Sequence, residues 1–232
     1  MLETKGHHMA KKISDIAPKS DAQNPVSQRE VSIAPPNFQT AVFKVRGTAP
    51  LVQHAFGVKT ANQMLEKQIA GGTTKKGGKR DAKVPEDCFN NARHISTKGW
   101  DGLPAAAIRK AMIGACRLVN YKMTLAKISF FVEHDGFDQG DGTPLVKIIG
   151  DKPKMLQSYV RVSNGQPDIR FRPQWIDWGL ELRIKFDADL FTLSDIANLL
   201  SRAGQQCGIG EGRPSSESGG MDWGLFEIVG TK

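Results

Sequence analysis

Long apolar runs are missing from this chain. No stretch approaches the roughly 18 consecutive apolar residues of a bilayer span, so no membrane partner is expected. Cysteine is scarce: Cys88, Cys116 and Cys207 lie far apart, with no C-x-x-C pair. That spacing excludes a disulfide scaffold, argues against a structural zinc site and fits a reducing cytoplasm, the expected location. Residues 1–9 have no apolar core and read as no secretory signal, with Met9 a candidate natural start and residues 1–8 an added leader. There is no Walker loop, no H-E-x-x-H and no G-x-S-x-G, and Gly208-Ile209-Gly210-Glu211-Gly212 does not follow a strand as a dinucleotide fingerprint requires. No cofactor is expected.

What is present is a chain of 232 residues, 39% hydrophobic, long enough to bury a core. Its net charge is +8, with a pI near 9.4. The charge is uneven. Residues 59–127 hold fourteen basic and five acidic side chains, a net +9, whereas residues 128–232 hold eleven and fifteen, a net −4. A concentrated positive field suits a polyanion, because each neutralised phosphate releases a counterion. The competing reading is a set of lysines that only solubilise a surface.

Residues 1–37 read as a flexible N-terminal arm: they are rich in Lys, Ser, Asp, Gln and Pro and have no hydrophobic period. From Phe38 to Gly47 apolar Ala41, Phe43 and Val45 alternate with Thr40, Lys44 and Arg46, which predicts a half-buried strand. Residues 58–70 suit a short helix. The loop after it, residues 71–80, has no apolar anchor and four cations, Lys75, Lys76, Lys79 and Arg80, which suits a phosphate-following segment. A helix is predicted over 104–119 from Pro104 and the spacing of Ile108, Ala111, Met112, Ala115 and Val119, with Arg109, Lys110 and Arg117 on its other face. Residues 125–133 read as a strand, and the acidic run at Asp135, Asp138 and Asp141 as a turn, since the ligand order of a calcium loop is absent. A hairpin is expected from 157–163 and 168–172 around Asn164 and Gly165, with Arg161, Arg170 and Arg172 projecting. Then come a clean strand at 178–187, a helix at 193–203 opened by Thr192 and Asp195, a long glycine-rich loop and a last strand at 223–229.

The resulting order is β-α-β-β-α-β, an α+β fold with a ferredoxin-like, RRM-like core and two large insertions, 48–103 and 134–177. One sheet face would be covered by helices and the other left free, as in RNA-recognition domains. Three motifs carry a family resemblance: Gly208-Ile209-Gly210-Glu211-Gly212-Arg213 before the last strand, Gly102-Leu103-Pro104-Ala105-Ala106-Ala107-Ile108-Arg109 at the first core helix, and Gly47-Thr48-Ala49-Pro50-Leu51 after the first strand. Together they resemble the RAMP superfamily of CRISPR proteins, whose large insertions form a thumb or finger in the backbone subunits that polymerise along guide RNA. The resemblance implies RNA or another CRISPR-like subunit as partner, in a guide complex or in a phage-encoded relative.

Glycines let backbone N–H groups converge on an anion, so Gly208, Gly210 and Gly212 with Arg213 are candidate phosphate contacts, alongside Lys75, Lys76, Lys79, Arg80, Arg109 and Lys110. The reading is a non-catalytic protein that grips RNA or single-stranded DNA and assembles head-to-tail as a filament or ring. A second reading is a metal-independent endoribonuclease. Ribonucleases of the superfamily it resembles use a histidine beside the glycine loop, and His94 and His54 are the candidate general bases. Asp101 is a candidate helix cap, and Trp100 the aromatic best placed to stack on a base. A third reading is a regulatory or inhibitor protein mimicking a CRISPR subunit.

Overall fold

The computed structural model describes residues 33–69, 71, 83–161, 165–217 and 220–231. In chain order the elements begin β1 (Phe38–Gly47), β2 (Leu51–Val52), α1 (Val58–Ile69), α2 (Pro85–Asn91), β3 (Gly102–Pro104) and α3 (Ala105–Ala115). Next are α4 (Met123–Ser129), β4 (Phe130–Val132), β5 (Gly136–Phe137), β6 (Pro144–Lys147) and β7 (Ile149–Gly150). The chain continues as β8 (Lys154–Arg161), β9 (Pro167–Trp175), β10 (Trp178–Asp187), α5 (Leu193–Arg202) and β11 (Phe226–Thr231). The described residues form a mixed α/β fold with five α-helices and three antiparallel sheets. Residues 36–232 make one compact unit, and the arm expected over 1–37 lies outside the described residues as far as residue 32.

The main sheet has the order β11-β1-β10-β4, with β7 also pairing with β10. Strict alternation builds it. Ala41, Phe43 and Val45 of β1 are buried beside Ile184, Leu182 and Leu180 of β10, their register partners. Ile108, Met112 and Ala115 of α3, and Ile196, Leu199 and Leu200 of α5, join the same core. Each large apolar side chain so buried contributes about 1.5–3 kcal/mol. Thr192 starts α5 with a reciprocal cap: its side chain accepts from the Asp195 N–H, and the Asp195 carboxylate accepts from the Thr192 N–H. On the opposite sheet face Lys44, Arg46 and Lys185 are exposed.

Several boundaries differ from the pattern-based expectation. The helix predicted over 104–119 is α3, which starts at Ala105 because Gly102–Pro104 pair with β6; beyond Ala115 the chain tightens into a 3₁₀ turn, leaving Val119 exposed. Most of the strand predicted at 125–133 is helical, and only Phe130–Val132 are extended. A short apolar run does not separate the two periods; here Ala126 and Ser129 face inward and Ile128 outward, the spacing of a helix. The last strand begins at Phe226, not 223. The hairpin is longer than expected, pairing Lys154–Arg161 with Pro167–Gln174, and its Asn164 lies outside the described residues. The two insertions build sheets of their own, β2-β9-β8 and β3-β6-β5.

Candidate functional site

The glycine-rich loop that follows α5 is held by its own backbone. Gly208, Gly210 and Gly212 adopt φ of +67°, +80° and +72°, which a side chain resists. A Cβ on Gly210 would stand 2.5 Å from the Val52 carbonyl oxygen, and one on Gly212 would stand 2.5 Å from the Trp223 ring. The N–H groups of Gly208, Ile209 and Glu211 donate to the carbonyls of Ala203, Gly224 and Val52. Those three donors, of which Gly208 is one of the glycines assigned to an anion, are therefore spent inside the protein. Arg213 Nη1 donates to the Gly210 carbonyl at 2.9 Å and closes the loop on itself.

This docking carries the Glu211 side chain to the second sheet. Its carboxylate accepts from Arg170 Nη1 at 3.2 Å and from Arg172 Nε at 2.7 Å, both on β9. His54, just past β2, is exposed and belongs to the same cluster. Partial burial, then the Arg172 guanidinium, pull its pKa below 6.5; Glu211 opposes the shift and Arg170 adds to it. Two guanidinium groups thus meet one carboxylate with the His54 imidazole in their field, and Asp168, which also acts on Arg170, is engaged by Lys83. Neither Arg170 nor Arg172 was among the residues assigned to phosphate from sequence, although both were read as projecting from the hairpin.

Gln53 ties this cluster to a second one. Wholly buried, it donates through Nε2 to the Gly102 carbonyl at 2.7 Å and accepts through Oε1 from the His94 N–H at 3.3 Å. His94 Nδ1 lies 2.8 Å from Asp138 Oδ2. The carboxylate only accepts, so this contact places a proton on Nδ1, and in that tautomer of the imidazole the lone pair is on Nε2. The pair lines a recess of about 110 Å³ together with Phe56, Asn91 and Asp141. Asp101 is not a helix cap: its carboxylate takes two bonds from Arg93, at 2.8 and 2.9 Å. Asp135 and Asp141 are likewise engaged, accepting from the N–H groups of Lys147 and Thr143.

The remaining assigned residues are dispersed. Arg109 is at the β4 edge of the main sheet, donating to the carbonyls of Phe130 and Lys127, and does not adjoin the glycine loop docked on β2. Lys110 is exposed on α3. Lys75, Lys76, Lys79 and Arg80 lie outside the described residues. The Trp100 ring lies against Gly102 and Gly136, where it packs β3 and β5 rather than standing free for a base. Among the described residues no helix is long and apolar enough to cross a membrane.

No family model matches the chain, and no curated protein matches it. Among solved structures it is similar to a chain in the cryo-EM structure of the Type III-B Cmr-beta bound to cognate target RNA, with a TM-score of 0.43 and 8% identity. The match covers 84% of this chain and 60% of that one, so this chain spans about three fifths of its neighbour's length.

Proposed function

We propose that this protein binds the backbone of single-stranded RNA or DNA without cleaving it. The observation that carries the reading is the pair of guanidinium groups, Arg170 and Arg172, gathered on the single carboxylate Glu211 beside His54. Guanidinium groups match the geometry of phosphate oxygens and stay charged at every relevant pH. The glycine loop acts here as a scaffold: Gly208, Gly210, Gly212 and Arg213 hold Glu211 in place, and Glu211 holds the arginines. Lys75, Lys76, Lys79 and Arg80, outside the described residues, are further cations assigned to phosphate, and Lys110 adds an exposed one. The antiparallel order β11-β1-β10-β4, with α3 and α5 between its strands in sequence, supports a ferredoxin-like plan for the core.

The test is fluorescence anisotropy with labelled poly-U and poly-dT between about 50 and 200 mM salt. Affinity should fall steeply with salt, and Arg170→Ala with Arg172→Ala should flatten the slope by about one per lost phosphate contact. Absence of binding at low salt contradicts the reading. Native mass spectrometry of the same samples reads whether copies assemble along the strand.

The His94–Asp138 pair favours a second reading, metal-independent RNA cleavage. His94 Nε2 would take the 2′-hydroxyl proton, the 2′-oxygen would bond to phosphorus, and the P–O5′ bond would break as water protonates the leaving oxygen. The recess is small beside the roughly 300–1,000 Å³ of ordinary ligand pockets; it suits a phosphate or ribose edge of a strand laid across the surface. Labelled RNA incubated with chelator distinguishes the readings: cleavage to a 2′,3′-cyclic phosphate, lost in His94→Ala, supports the second, and intact RNA supports the first.

A further inference from the structure

The face of the main sheet away from α3 and α5, together with Arg109 of α3 at its β4 edge, carries an aromatic and cationic cluster that the site above does not use. Thr40, Lys185 and Phe131 are register partners in one row across β1, β10 and β4, and Phe38 lies two residues before Thr40 on the same face. Phe38 and Phe131 are each 37% exposed. Their rings meet edge to face, centroids 6.0 Å apart at 63°. Lys185 Nζ sits 4.8 Å from the Phe38 centroid, and Arg109 Cζ sits 4.8 Å from the Phe131 centroid. Arg109 is held there by its bonds to the Phe130 and Lys127 carbonyls, so its planar group is fixed before any ligand arrives.

Charge elsewhere on this face is matched. Arg46 pairs with Glu227, and Arg183 pairs with Glu133 and Asp135. Lys44 stands opposite Glu181 in the register. Among the described residues Lys185 and Arg109 are not paired with a carboxylate and rest on aromatic rings instead. The nearest acid in the register is Asp187, opposite Phe38, and one of its oxygens accepts from the Asp189 N–H. An acidic protein would match the two cations and gain from the rings only where it also sets apolar side chains beside its carboxylates at the same spacing. A single nucleic-acid strand matches both, because each base offers a π-face and each nucleotide a phosphate.

We infer that Phe38 and Phe131, with Arg109 and Lys185, form a base-stacking platform for single-stranded nucleic acid. One base stacks on a phenyl ring or on the Arg109 guanidinium plane, and Lys185 takes an adjacent phosphate. The inference rests on the proposed strand binding and adds to it a surface that contacts bases. Arg109, assigned to phosphate from sequence, thereby acts as an aromatic partner.

The experiment compares labelled poly-U with an abasic phosphate strand of equal length, by anisotropy, for the full chain and for the double variants Phe38→Ala/Phe131→Ala and Phe38→Leu/Phe131→Leu. The expected result is a loss of about tenfold or more on poly-U, the weight of one to two stacked bases. Abasic affinity and salt slope should stay unchanged. Ultraviolet crosslinking of the unmodified chain to poly-U should tag peptides containing Phe38 or Phe131, and this arm stands even where the variants do not fold. Undiminished poly-U binding by folded variants, equal loss on both strands, or crosslinks confined to other peptides would overturn the platform while leaving backbone binding intact. Tighter binding of poly-glutamate than of poly-U at these residues overturns it in favour of an acidic partner. If the unmodified chain binds neither strand, both readings fall together.

Discussion

Arg172 Nε donates to Glu211 Oε2 at 2.7 Å, joining β9 to the glycine-rich loop across 39 residues of sequence. Arg172 is 11% exposed and Glu211 24%, so the pair is shielded more than a surface ion pair. It gives the loop its place and leaves Arg170 sharing the same carboxylate from a more open position.

Glu211→Gln therefore has two opposed effects. Loss of the carboxylate leaves Arg172 with poor compensation and should destabilise the fold by about 1–3 kcal/mol. It also removes a negative charge shared by the two guanidinium groups, so oligonucleotide affinity at low salt should rise. Thermal melting and anisotropy on the same sample read the two signs; a fall in both would show that Glu211 only shapes the loop.

His54 supplies a pH dependence. Its folded pKa lies below 6.5, through partial burial and then Arg172, with Arg170 adding to the shift, so the unfolded chain takes up the proton first as pH drops. Its contribution to stability is constant above about pH 6.5 and is lost progressively as pH falls through the window beneath it. A bound phosphate acts in the opposite direction by favouring the imidazolium, so strand binding takes up a proton and tightens as pH falls from about 7.5 to 5.5. His54→Gln should flatten both curves. An unchanged affinity profile in that variant would remove His54 from the site.

The glycine loop is sensitive to a single methyl group. Gly210→Ala combines φ of +80° with a Cβ 2.5 Å from the Val52 oxygen. Its cost should be roughly 3 kcal/mol or more, a Tm drop of about 6–12 °C for a chain of this size. Gly142 has φ of +72° and open space around it, so Gly142→Ala tests the backbone strain alone. That should cost roughly 1 kcal/mol, or about 2–4 °C. Equal effects would mean that the loop is not clamped against β2.

The main sheet is legible in the sequence because its strands alternate without interruption: β1 buries Ala41, Phe43 and Val45, and β10 buries Leu180, Leu182 and Ile184. Thr192 and Asp195 marked the start of α5 in the same way. The strands β2, β3, β5 and β7 have two or three residues each, too few to show any period, so the insertions could not be resolved into sheets. At the site, the projecting arginines of the hairpin were visible, but their partner was not. Nothing local distinguishes Glu211 from the other carboxylates until the left-handed glycines on either side bring it to β9. Gln53 is a polar residue following a two-residue strand, and only the fold reveals that both ends of its amide are bound.

The most direct measurement is the salt dependence of single-strand binding by the full chain and by its Arg170→Ala/Arg172→Ala variant. Log affinity should fall linearly with log salt for the unmodified chain, and the variant should bind more weakly with a shallower slope. An identical slope in the two proteins, or no complex at the lowest salt, would contradict it.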